Sequence, residues 1–294
     1  MILKKHISPI ESPSEGEKLK LEEINDANFN PVEGLRPDII YRTGNWLVAN
    51  KTKTWSLLDM MVVYCGRGIP LSFDDLRGGD LRKLFNICSA CASIIKQSCP
   101  VVYIGANINH SFNPDSFLRL HLHVMGFTPG EISNQLVIEQ KDFSSQKALI
   151  TDPMVGKFNE TLSEKFKAQK YDFGLTKQLE FGFDEIKGRR FCKMIKRIDA
   201  QIKNTFGGTA YSFCLKFEND KTTLNLVPRS IFGKGVLESD GIILERTREK
   251  KFTRKQLETK LAFVIKVRQT LERIFGTDAD GKYINNLAKR VKGE

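Results

Sequence analysis

The stretch Phe117-Leu118-Arg119-Leu120-His121-Leu122-His123-Val124-Met125 alternates polar and aliphatic residues. In an extended strand, successive side chains leave on opposite faces. Arg119, His121 and His123 therefore share one face, and Leu120, Leu122 and Val124 enter a core. The chain has 4 histidines, and three of them, His110, His121 and His123, fall within 14 positions.

Reading upstream from this strand, Val101-Val102-Tyr103-Ile104-Gly105 is a continuous apolar run expected to form a buried strand, and Asn107 to Ser116 reads as a polar loop. Before it, Leu81, Leu84, Phe85, Cys88, Cys91, Ala92 and Ile95 recur at helical spacing, which predicts a helix from near Asp80 to near Gln97, ended by Pro100. Asn45-Trp46-Leu47-Val48-Ala49-Asn50 and Leu58-Asp59-Met60-Met61-Val62-Val63-Tyr64 read as two antiparallel strands. Cys88 and Cys91 share a helix face, but no second Cys or His pair stands at zinc-site spacing, so they are read as core.

Length and composition set the frame. At 294 residues the chain is long for one domain and comfortable for two core-bearing halves. With 40% hydrophobic and 28% charged residues, neither wholesale disorder nor a disulfide miniprotein fits. The longest apolar runs fall far short of the roughly 20 residues that span a bilayer. The start, Met1 to Pro9, reaches charge and proline before a secretory apolar segment forms, and the six cysteines sit mostly in apolar stretches, so a cytoplasmic protein with reduced thiols is expected. Residues 1–36 mix Pro, Ser, Glu and Lys without an apolar period and read as an arm or extension.

Charge is uneven. From Glu245 to Glu294 there are 14 Lys or Arg against 7 Asp or Glu, supplying +7 of the net +11. The densest part, Arg246 to Lys255, is either a solvated face or a landing site for polyphosphate or nucleic acid. It leads into a helix expected to start at Thr253, with Gln256 as its capping-box partner, and to run to near Phe275 with Leu257, Leu261, Val264, Ile265, Arg268 and Leu271 as its stripe.

Three chemistries fit the histidine strand. Imidazoles on a strand are good zinc ligands, although no carboxylate or thiolate stands at matching spacing nearby. The polar face is alternatively only solvated. Or a neutral imidazole attacks phosphorus, with its far nitrogen keeping its proton in a hydrogen bond. In that case His121 is central, Arg119 and His123 hold phosphate oxygens as charge develops, and Ser116 serves the leaving oxygen.

The block Ile104-Gly105-Ala106-Asn107-Ile108-Asn109, a loop, and Ser116 to Val124 resembles the core of the histidine-triad superfamily. The resemblance implies His121 as nucleophile, His123 as third triad position, Ser116 as leaving-group serine, and Asn107 or Asn109 as the phosphate-orienting asparagine. It also implies that the nucleoside lies between the strands carrying Trp46, Val48, Asn50 and Met60 to Tyr64. Arg119 stands where the first triad histidine belongs; it keeps positive charge but is no proton carrier.

The second half is similar to the first. Phe181 to Ile186 echoes Leu71 to Leu76, a helix with Phe191, Met194, Ile195, Ile198 and Ile202 follows, and Tyr211 to Glu218 and Lys221 to Arg229 read as strands. In that register Thr223 replaces His121 and Asn225 replaces His123. Two such repeats, the second degenerate, resemble the galactose-1-phosphate uridylyltransferase and diadenosine tetraphosphate phosphorylase branch. The implied fold is α+β, with residues 37–150 and 151–294 each an antiparallel sheet with a packed helix. The segment Phe232 to Leu244, with Lys234 and Glu238, resembles that branch's loop for the second substrate. His123 departs from it, since its transferases usually carry Gln there.

The expected activity is nucleotidyl transfer, as transferase, phosphorylase or hydrolase, on a nucleotide, nucleotide sugar or dinucleoside polyphosphate, with no cofactor, metal or membrane. A non-catalytic nucleotide or RNA binder and an enzyme processing nucleic-acid 5′ ends are the alternatives.

Overall fold

The structure of the protein is a computed structural model; it describes residues 39–50, 56–67, 70–109, 120–127, 169–170, 175–206, 210–229 and 253–277. Among these, nine strands form one antiparallel sheet: β1 (Ile39–Thr43), β2 (Trp46–Asn50), β3 (Leu58–Tyr64), β4 (Val101–Asn109), β5 (His121–Phe127), β6 (Gln169–Lys170), β7 (Leu175–Leu179), β8 (Ala210–Glu218) and β9 (Lys221–Arg229). Their order across the sheet is β1-β2-β3-β5-β4-β8-β9-β7-β6. Three helices accompany them: α1 (Gly78–Lys96) between β3 and β4, α2 (Arg189–Phe206) between β7 and β8, and α3 (Arg254–Phe275) after β9. The architecture is α+β, as expected. No described helix is long and apolar enough to cross a membrane.

Period-two burial explains the layering. Leu58, Met60, Val62 and Tyr64 of β3, Leu122 and Val124 of β5, and Ile104, Ala106 and Ile108 of β4 belong to one core with Leu81, Leu84, Phe85, Cys88, Cys91 and Ile95 of α1. The alternate residues lie on the other face, where Leu47, Ala49, Met61 and Val63 form a separate buried cluster with Ile39. The helix-side core continues into the second half: Phe73 meets Phe213 edge-on at 5.0 Å, and Phe85 meets Phe191 at 5.0 Å. The two expected cores are thus joined, because β4 and β8 pair along their whole length, from Val101↔Glu218 to Asn109↔Ala210.

Several local expectations change in three dimensions. Asn107 to Asn109 continue β4 instead of opening a loop, because Ile108 is fully buried and lies opposite Tyr211 of β8. The strands β1, β6 and β7 were not anticipated; β1 joins β2 through a tight turn in which Gly44 takes φ +58, a conformation open to glycine. Thr253 caps α3 as expected, its hydroxyl accepting from the N–H of Gln256 at 3.3 Å. The stripe of α3, however, is Lys260, Phe263, Val264, Val267 and Leu271, whereas Ile265 is exposed. That face packs on α1 and β1, so the C-terminal helix covers the first half. Tyr41 fastens it there, donating from Oη to the carbonyl of Gly276 at 2.6 Å.

Candidate active site

The site is built on β5, which is clamped between β3 and β4. His123 lies opposite Met61 on one side and Gly105 on the other, and His121 lies opposite Val63. Both histidines alternate out of phase with Leu122 and Val124, so their rings emerge on the face away from α1. His121 is half-buried and His123 is 7% exposed. The rings are 5.3 Å apart between centroids, edge to face. Gly105 places no side chain beside His123.

Asp59 completes the arrangement. It lies on β3 in phase with Met61 and Val63, is fully buried, and has Oδ1 3.2 Å from Nδ1 of His123. Its Oδ2 is buried without a hydrogen-bond partner among the described residues. Sequence reading passed over Asp59, although a single carboxylate inside Leu58-Asp59-Met60-Met61-Val62-Val63-Tyr64 is a signal. A charge among residues that bury both faces needs a partner.

The other candidates distribute as follows. Asn107 and Asn109 lie on β4 at positions in phase with Gly105, opposite Ser212 and Ala210 of β8. Trp46, Val48 and Asn50 do not share the histidine face. Trp46 and Val48 are fully buried in the helix-side core, Trp46 edge-on to Tyr64 at 5.2 Å, and Asn50 alternates with them. This corrects their assignment as nucleoside contacts: the pleat gives the histidine face Leu47 and Ala49 instead. Ser116, Arg119, Lys234 and Glu238, along with His110, lie outside the described residues. Of the basic stretch Arg246 to Lys255, Arg254 and Lys255 are described, both exposed in the first turn of α3.

A row of facing residues crosses the sheet on this side: Ala49, Met61, His123, Gly105, Cys214, Asn225 and Thr176. It is apolar at β2 and β3 and carries the imidazole at β5. Beyond Cys214 comes Asn225, and in the neighbouring row Thr223 donates to Oε1 of Gln178 at 3.4 Å. Cys88 and Cys91 are fully buried in α1, and burial pushes the Cys91 thiol up to about 12. The described residues contain no group of three or more His, Cys, Asp or Glu able to hold a metal.

No family model and no curated protein matches the chain. Among solved structures it is similar to yeast Ap4A phosphorylase in complex with Ap4A, at 16% identity and TM-score 0.43, covering 82% of this chain and 81% of that one. It is also similar to a GalT-like protein from Arabidopsis thaliana, at 13% identity and TM-score 0.40, covering 78% and 92%. A third is a DUF4931 family protein from Bacillus cereus, at 11% identity and TM-score 0.38, covering 78% and 99%.

Proposed function

We propose that the chain is a nucleotidyl-transferring enzyme that acts on a nucleotide conjugate through a nucleotidyl-histidine intermediate at His121. The observation that carries this reading is the pair of imidazoles, His121 and His123, side by side on one face of a central strand with 5.3 Å between ring centroids. Two such groups can divide nucleophilic attack from proton or charge handling within one site. His121 attacks the α-phosphorus, the P–O bond to the leaving group breaks, and the nucleotidyl group rests on the imidazole. Phosphate, a phosphosugar or water then takes it. Asn107 or Asn109 orients the phosphate, Arg119 and Ser116 serve the oxygens, and Lys234 and Glu238 meet the second substrate.

The chain also reads as two repeats, 37–150 and 151–294, preceded by an arm. Strand order supports this: β2-β3-β5-β4 is mirrored by β6-β7-β9-β8, and in each half a helix links the second strand to the third. Each helix follows a turn closed by a carboxylate: Asp75 accepts from the N–H of Ser72 at 3.0 Å, and Glu185 accepts from the N–H of Gly182 at 2.8 Å. About the pair Gly105↔Cys214, His123 corresponds to Asn225 and His121 to Thr223, so the second repeat carries no histidine at either position.

Intact mass after incubation with nucleoside diphosphate sugars, dinucleoside polyphosphates and nucleoside triphosphates tests the reading. One nucleoside monophosphate per chain, mapped to His121 and absent from His121→Gly, is expected. A turnover-competent His121→Gly variant, or a wild type that forms neither adduct nor product, overturns it.

A further inference from the structure

Helix α2 buries Phe191, Cys192, Ile195, Ile198 and Ile202 in the helix-side core, which leaves its polar positions on the outer face. Arg189, Arg190, Lys193, Lys196, Arg197 and Lys203 stand on that face without an acid, because the helix's one carboxylate, Asp199, is fully buried. Neighbouring acids offset part of this charge: Arg190 pairs with Glu180 at 3.6 Å, Lys203 with Asp75 at 3.9 Å, and Lys196 with Asp74 at 4.0 Å. Arg189, Lys193 and Arg197 are exposed and have no ion pair or hydrogen bond among the described residues. At i, i+4 and i+8 they form one row along the helix, about 6 Å apart at each step. Arg82 of α1, also exposed, lies beside the row: burial pushes the Cys192 thiol up to about 11, and the Arg82 guanidinium draws it back down.

Folding gains nothing from this row. Like charges one turn apart repel, and the first turn of α2 holds Arg189 and Arg190 with no acid, against the positive end of the helix dipole. The same two terms add to the positive potential offered to an anion in solution. The exposed large apolar residues described are Ile265 and Ile274, both on α3, so α2 gives a membrane no side chain to insert. Nor does its outer face give a single strand a free ring on which to stack a base: Phe191 is fully buried, and half-buried Phe181, nearby, has the Arg190 guanidinium 5.3 Å from its ring centre. A duplex needs neither, since it turns its bases inward and presents regularly spaced phosphates.

We propose that the outer face of α2, with Arg189, Lys193 and Arg197 in a row and Arg82 beside them, is a docking surface for the phosphate backbone of duplex nucleic acid. It lies on the helix side of the sheet, whereas His121 and His123 emerge on the other side, so the proposal stands apart from the nucleotidyl-transfer reading. The contacts are to phosphates, which carry no sequence information, so binding is sequence-independent. It is also steeply salt-dependent, because each cation that meets a phosphate releases about one counterion.

Fluorescence anisotropy with a mixed-sequence DNA duplex of about 20 base pairs, titrated at several salt concentrations, tests this. The triple variant Arg189→Gln, Lys193→Gln, Arg197→Gln, checked for folding by its thermal transition, should bind at least about tenfold more weakly at about 0.1 M salt. Its slope of log affinity against log salt should be shallower by about 3. A control triple on α3, Arg254→Gln, Lys255→Gln, Arg273→Gln, removes the same charge and should change the slope by less than about 1. An α2 variant whose slope stays within about 1 of the wild type overturns the proposal. Equal flattening by both triples also overturns it, by reducing binding to net charge. Acetylation mapped by mass spectrometry on the wild type needs no variant: bound duplex should protect Lys193 and leave Lys255 as reactive as in the free protein. A Lys193 that stays reactive in the complex, or a wild type that binds phosphatidylserine vesicles and not the duplex, overturns the proposal.

Discussion

The carboxylate of Asp199, on α2, accepts a hydrogen bond from the backbone N–H of Asp74, which lies 125 residues earlier in the turn before α1, at 2.7 Å. The same carboxylate accepts from the hydroxyl of Tyr211 on β8 at 2.8 Å, and Asp199 is fully buried. One side chain thus ties the first half's helix entrance to the second half's helix and sheet. Lys196, one turn earlier on α2, adds a bond from Nζ to the carbonyl of Leu76 at 2.8 Å.

Removing that carboxylate takes the acceptor from two donors, one of them the fully buried hydroxyl of Tyr211. Asp199→Ala is expected to lower unfolding free energy by about 3–5 kcal/mol, and Asp199→Asn by less, since the amide oxygen still accepts. Urea denaturation followed by circular dichroism measures both. A loss below about 1 kcal/mol for the alanine variant would mean that the two halves do not depend on this junction.

Gly126, on the helix side of β5, marks the closest approach of the site strand to α1. A Cβ there would run into Cγ2 of Ile95 and lie 2.8 Å from Sγ of Cys99. Gly126→Ala is expected to cost about 1–3 kcal/mol by overpacking, with much of it regained in the double variant Gly126→Ala, Ile95→Ala. Thermal denaturation of the three proteins reads the coupling; strictly additive effects would contradict this contact.

Alkaline pH should weaken the fold. Burial raises the thiol of Cys91 from 9 to about 12; burial raises that of Cys88 well above its ordinary value, helped by Cys91; and burial raises the hydroxyl of Tyr211, helped by the Asp199 charge. These groups bind protons more tightly folded than unfolded, so their contribution is full below pH about 9. It is lost as pH rises from there toward 12, where the unfolded chain ionises first. Urea midpoints measured between pH 8 and 11 should fall steadily by an amount worth a few kcal/mol, and a flat profile would contradict the burial of these groups. At pH 8 a thiol reagent should label half-exposed Cys65 and spare Cys88 and Cys91 until the chain unfolds.

Much of the fold was legible because its signals are local. The alternation at His121 to Val124 names a strand and both its faces, Lys221 to Arg229 is read to its ends, and Thr253 with Gln256 starts α3 where the capping chemistry puts it. The site was legible in its two imidazoles, whose shared face follows from period two alone. Trp46 and Val48 were misassigned because the strand's alternation does not say which phase faces the helices; that depends on Phe85, Ile95 and the rest of α1 filling one side. The missing strands β6 and β7 are short and lack alternation, and their place comes from pairing with β9.

By itself, then, the sequence determined the periodic elements, the helix cap, and the shared face of His121 and His123. Each of these depends on neighbours a few residues apart. The tertiary structure decided what rests on distant pairing: the extension of β4 to Asn109 by β8, the single core formed by Phe73 and Phe213, the return of α3 onto α1, and Asp59 against His123. Hydrogen-bond register across strands and the exclusion of water from a shared core set those contacts, and neither acts between residues until the chain has brought them together.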